Sequence, residues 1–147
     1  MAEPKPPKPA FNAMLICDHT IREEGTRKVS VIGIFGAIHS ARFPAVHSSL
    51  SVYVNLGDAL GAYRLRLELL HADTMQKIGS GEAELRVHDL MLPAEFVFEL
   101  QRLVFDRAGR YQFDLYANDE HIGSKSFRVV PRVMWKSMAQ LPIVIIQ

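Results

Sequence analysis

Between Gly109 and Asp119 the chain alternates with a period of two. Tyr111, Phe113, Leu115 and Ala117 fall on one side, and Arg110, Gln112, Asp114, Tyr116 and Asn118 on the other. An extended strand with one face turned to a core sorts residues in this way. A polar turn at Asn118-Asp119-Glu120 follows, and His121 to Val130 predicts the returning antiparallel partner. Upstream, Tyr63, Leu65, Leu67 and Leu69 alternate with Arg64, Arg66 and Glu68. Ala83, Leu85 and Val87 do the same against Glu82, Glu84 and Arg86, as do Phe96, Phe98 and Leu100 against Glu95 and Glu99. The pattern predicts strands over 11–18, 28–35, 50–56, 63–71, 78–87, 96–105, 111–118 and 121–130. The first is mostly apolar and is expected to be buried on both faces; with the second it reads as a hairpin. No sustained helical period interrupts them. About eight short strands separated by turn residues predict an all-β fold, an antiparallel β-sandwich of immunoglobulin-like or related type.

Gly109-Arg110-Tyr111 stands where such sandwiches use a buried tyrosine hydroxyl to tie a corner back to the backbone. A plain core aromatic at the start of a strand fits the residues equally well. Gly79-Ser80-Gly81 reads as a bulge or bend in its strand.

Three kinds of segment lie outside the alternation. Residues 1–10 hold four prolines, which cannot donate to a ladder, and read as a solvated or disordered leader. Within the 11–130 domain, 19–27 reads as a polar connection, and 36–49, with Phe43-Pro44, His39 and His47, as an irregular loop. The extension, 131–147, has room for about two helical turns around Met134 and Met138. It then ends in Leu141-Pro142-Ile143-Val144-Ile145-Ile146, uncharged and rich in β-branched residues. A segment of this composition aggregates if left open. The simpler expectation is that it is covered by its own domain, as an edge strand or plug. The sharper one is strand addition to a neighbouring subunit.

Composition narrows the function classes more than it selects one. A chain of 147 residues is one domain in size, and a net charge of +1 supplies no field that would steer it to nucleic acid or anionic lipid. Arg64 and Arg66 share a face with Glu68 and no interleaved aromatic, so nucleic-acid binding is not expected. No apolar run approaches the ~20 residues that a helix needs to span a bilayer. A single cysteine and the lack of an apolar leader favour the cytoplasm.

Candidate chemistry is thin. In Cys17-Asp18-His19 neighbouring side chains point to opposite faces of a strand, so the three cannot converge, and a buried cysteine is the simpler reading. The six histidines lack metal-ligand spacing and read as a scattered surface set. The paired glutamates read as solvated faces, and the glycine-containing runs lack the ending of a phosphate loop. No cofactor or metal is expected.

Several segments together carry a family resemblance: Ala13 to His19, Glu23 to Phe35, Phe43-Pro44-Ala45-Val46-His47, Tyr63 to Leu69, and Gly109-Arg110-Tyr111 through Asp119. Over about 11–130 the chain resembles a bacterial family of small domains of unknown function. The resemblance implies no activity, ligand or catalytic residue.

The sequence therefore predicts a binding or assembly module rather than an enzyme, acting on a protein partner or on itself. The candidate interaction residues are Trp135, Ile143 and Ile145 in the extension, with Phe43 and His47 in the 36–49 stretch. Two alternatives accompany it. One is a small-ligand binder or enzyme with a pocket near 36–49, which would need at least two of Cys17, His19, His39 and His47 to converge. The other is a structural subunit of a larger homo-oligomer.

Overall fold

The structure, a computed structural model, describes residues 4–132 and 143–147. Nine strands follow one another: β1 (Ala10–Arg22), β2 (Val29–Ile34), β3 (Ala37–Ser40), β4 (Ala45–Gly57), β5 (Gly61–His71), β6 (Gln76–Val87), β7 (Ala94–Phe105), β8 (Gly109–Ala117) and β9 (Glu120–Pro131). They form a four-stranded sheet in the order β2-β1-β4-β7 and a curled five-stranded sheet in the order β3-β9-β8-β5-β6. The sheets pack face to face, and no helix is present among the described residues. Every pairing is antiparallel except that of β3 with β9.

The core is the set the alternation marks. Tyr111, Phe113 and Leu115 of β8 are fully buried, and they meet Ile16, Val52 and Val54 of the facing sheet in one cluster. Burying each large side chain stabilises the fold by about 1.5–3 kcal/mol relative to leaving it in water. Aromatic rings close one end of this core, with Phe105–Tyr111 at 4.9 Å and Phe113–Phe127 at 5.4 Å between centroids. The Tyr111 hydroxyl donates to the Arg107 carbonyl at 2.7 Å. The corner tie and the core ring are thus both true of Tyr111.

Three local expectations change. The 36–49 stretch is not a loop: β3 occupies Ala37–Ser40, and β4 starts at Ala45. β3 gains its order from parallel pairing with β9, far away in sequence, which a local pattern does not reveal. The 19–27 connection shrinks to 23–28, because β1 continues to Arg22 opposite β2, from Thr20↔Val31 to Arg22↔Val29. β1 is not fully buried on both faces: Met14 and Ile16 are buried on one, whereas Ala13 and Leu15 on the other are only half-buried ahead of the buried Cys17. In β6 the register against β5 shifts beside Gly79, and Ile78 is the extra residue, so a bulge lies next to the glycines.

The proline-rich leader touches the sandwich. Pro9 is buried, and the Pro7 carbonyl accepts the Tyr63 hydroxyl at 2.6 Å.

Candidate functional site

Where β2 ends, the chain crosses from one sheet to the other. Gly33 adopts φ of +72°, and a side chain there would run into the Asp18 carboxylate on β1. Phe35 and Gly36 then carry the chain into β3. This crossing leaves a cavity of about 310 Å³, lined by Asp18, Phe35, Ile38, His39 and His47, among others. The Phe35 and His47 rings lie 5.8 Å apart. His39 Nδ1 and His47 Nε2 are buried without a hydrogen-bond partner. A neutral imidazole has one donor and one acceptor nitrogen, and leaving such a group unsatisfied away from water costs about 1–3 kcal/mol. The cavity thus has two imidazoles in its wall, each with one ring nitrogen buried and unpaired.

Of the four residues that a pocket near 36–49 would draw on, His39 and His47 share this cavity. Cys17 is fully buried, its thiol directed to the carbonyls of His19 at 3.5 Å and Ser51 at 3.6 Å. Burial pushes the thiol above its ordinary pKa, and the nearby Asp18 charge pushes the same way. A thiol held neutral in this fashion is a poor nucleophile. His19 is exposed. Among the described residues, no group of three His, Cys, Asp or Glu side chains is placed to hold a metal ion.

The other candidate interaction residues are dispersed. Phe43 is half-buried against the core, ahead of the cis peptide to Pro44. Ile143 and Ile145 are 83% and 79% exposed, so neither is covered by its own domain. Trp135, and the helical turns expected around Met134 and Met138, lie outside the described residues.

The outer face of the five-stranded sheet holds a polar cluster that the alternation treats as plain scaffold. Asp114 is only 4% exposed there. It accepts from Gln112 Nε2 at 3.0 Å and from the Ser124 hydroxyl, and His121 Nε2 lies 3.5 Å away. His121 Nε2 also meets Ser124 Oγ at 3.0 Å. Ser124 gives its one proton to Asp114, so its oxygen accepts from His121. An activated serine needs the reverse, a hydroxyl donating to the imidazole. The trio is thus a structural network.

Beside the trio, Arg66 stacks over the Tyr116 ring at 4.4 Å and bonds Asp119 at 2.6 Å and Glu68 at 3.1 Å. Burial, then the charges of Glu68 and Asp114, push the Tyr116 phenol up. Arg66 is thereby committed within the protein. Sequence showed these residues as the polar side of their strands; which of them would be buried depends on the neighbours that β5 and β9 bring in. His71 is likewise not a surface histidine: it is 3% exposed and accepts from Arg107 Nε at 2.9 Å.

Among the described residues no helix is long and apolar enough to cross a membrane. Compared with models of protein families, residues 12–130 match DUF6941, a family of unknown function. No curated protein matches the chain.

Proposed function

For a chain that belongs to the DUF6941 family of unknown function, we propose the role of a non-catalytic binding and assembly module that engages protein through its apolar C-terminal segment. The observation that carries this reading is the exposure of Ile143, Val144, Ile145 and Ile146, which runs from 78% to 91%. Each would stabilise a contact by up to about 1.5–3 kcal/mol on full burial, less the ordering cost of association. The rigid sandwich supplies the platform, and the lone buried thiol suits a reducing compartment such as the cytoplasm.

Light scattering on the full chain and on a chain ending at Arg132 tests the reading. The full chain should exceed its monomer mass of 16.6 kDa, and the shortened chain should return to its own monomer mass. Two chains that both behave as monomers would overturn it.

The histidine cavity favours a second reading, a site for a small ligand held among the Phe35, His39 and His47 side chains. Native mass spectrometry of freshly purified protein tests it. A retained small molecule that is lost in His39→Phe and His47→Phe supports this reading, and a bare chain removes it.

A further inference from the structure

Among the described residues, the four-stranded sheet ends in β2, which has a strand on one side only. Its open edge presents backbone N–H and C=O groups with no strand to receive them, the usual invitation to pair with another chain. Proteins close that invitation with charge, proline or shortness. The other sheet edges do so: β7 carries Glu95, Glu99 and Arg102, β6 carries Lys77, Glu82, Glu84 and Arg86, and β3 has four residues. β2 does not. Its six residues, Val-Ser-Val-Ile-Gly-Ile, hold no charge and no proline. Ile32 is 38% exposed and Ile34 59%, with Ile21 of β1 beside them at 51%.

The same chain carries an unpaired strand-forming segment of matching length and character. Residues 143–147 span about 16 Å when extended, close to the reach of β2, and their isoleucines and valine are exposed. Both pieces are uncharged and β-branched, so neither repels the other and both lose apolar surface on pairing.

Resting on the assembly reading above, we propose that residues 143–147 of one copy add as a strand to the open edge of β2 in a second copy. The contact is head to tail. Each molecule offers one tail and one edge, so assembly continues to a ring or a filament unless an end is blocked.

Two full-length variants test this by complementation. Ile143→Asp with Ile145→Asp removes the tail and keeps the edge; Ile32→Lys with Ile34→Lys blocks the edge and keeps the tail. Each alone should run as a monomer of 16.6 kDa. Mixed in equal amounts they should form a dimer of about twice that mass and stop there, because only one good tail meets only one good edge. Circular dichroism and the thermal midpoint report whether each variant is folded. In the wild-type chain, amide hydrogen exchange over 29–34 should slow as concentration rises, a readout that needs no variant.

An edge variant that assembles like wild type overturns this inference and leaves the assembly reading intact, since the tail then docks elsewhere. Folded variants that stay monomeric on mixing mean that tail and edge must be intact in the same copy, and also overturn it. A wild-type chain of monomer mass overturns both, whether the tail serves a partner of different sequence or none.

Discussion

The corner around Tyr111 and the edge at β2 are built from similar residues and end in opposite states. At the corner, Tyr111, Phe105, Phe113 and Phe127 have almost no exposure, and the one polar atom among them, the Tyr111 hydroxyl, is tied to Arg107. At the edge, Ile32 and Ile34 face solvent, and the outer backbone groups of β2 have no neighbouring strand. Apolar character alone therefore does not distinguish scaffold from contact surface. What distinguishes them is which face of the sheet carries the residue. Tyr111, Phe113 and Leu115 of β8 belong to the core, whereas Ile32 and Ile34 stand opposite His19 and Cys17, on the other face of β1 from its core residues Met14 and Ile16.

The largest expected effect tests the corner's half of this contrast. Phe113→Ala should cost about 3–5 kcal/mol, the usual penalty for emptying an aromatic site in a core. Ile34→Ala should change monomer stability by no more than ~0.5 kcal/mol, as surface substitutions do. Urea unfolding at a concentration where the chain is monomeric measures both. Equal costs at the two sites would break the comparison, because β2 would then be core.

Most of the corner was legible in the sequence. Period-two alternation from Tyr111 to Ala117 set the buried face, and Gly109-Arg110-Tyr111 marked the turn into it. The edge was legible only as a strand, because its being an edge follows from β1 pairing with β4 on its other side. In the sequence His39 and His47 fall in one irregular stretch. Their shared cavity depends on β3 joining β9 across most of the chain, a contact with no local signature. Asp114 was placed on the correct side of its strand, yet its burial comes from Gln112, Ser124 and His121 closing over it.

Asp114 sharpens the contrast from the polar side, since a buried acceptor is held as firmly as a core ring. Asp114→Ala leaves Gln112 and Ser124 without their shared partner, and should cost about 1–3 kcal/mol. Removing the exposed charge of Asp119 by asparagine, which tolerates the φ of +66° there, should cost ~0.2–1 kcal/mol, because its pair with Arg66 is open to water. If Asp119→Asn proves the more damaging, the Asp114 network contributes little.

A smaller change isolates the corner tie. Tyr111→Phe keeps the ring and leaves the Arg107 carbonyl without its donor, which should cost about 0.5–1.5 kcal/mol in the same urea experiment. No change would mean that water replaces the hydroxyl freely and that the corner is held by packing alone.

The smallest effect concerns the strand behind the open edge. Cys17 pairs with Ile34 and is fully buried, and its thiol pKa is raised. The folded state thus favours the protonated thiol. This contribution is complete below the unfolded thiol's pKa, ~8.5, and is lost as pH rises through the folded value. Above pH ~8.5 the unfolded state releases the thiol proton first, so stability falls with pH. Cys17→Ala removes that component, and its urea midpoint should fall less steeply from pH 8 to 10 than that of wild type. Identical slopes would show that the thiol is already in contact with water in the native state. Because β2 has only β1 to hold it, opening of the edge would be the route by which water reaches Cys17. Thiol labelling at pH 8 separates that route from global unfolding: if the edge opens locally, Cys17 labels at the same rate in wild type and in Phe113→Ala; if only whole-domain unfolding exposes it, the core variant labels faster in proportion to its lost stability.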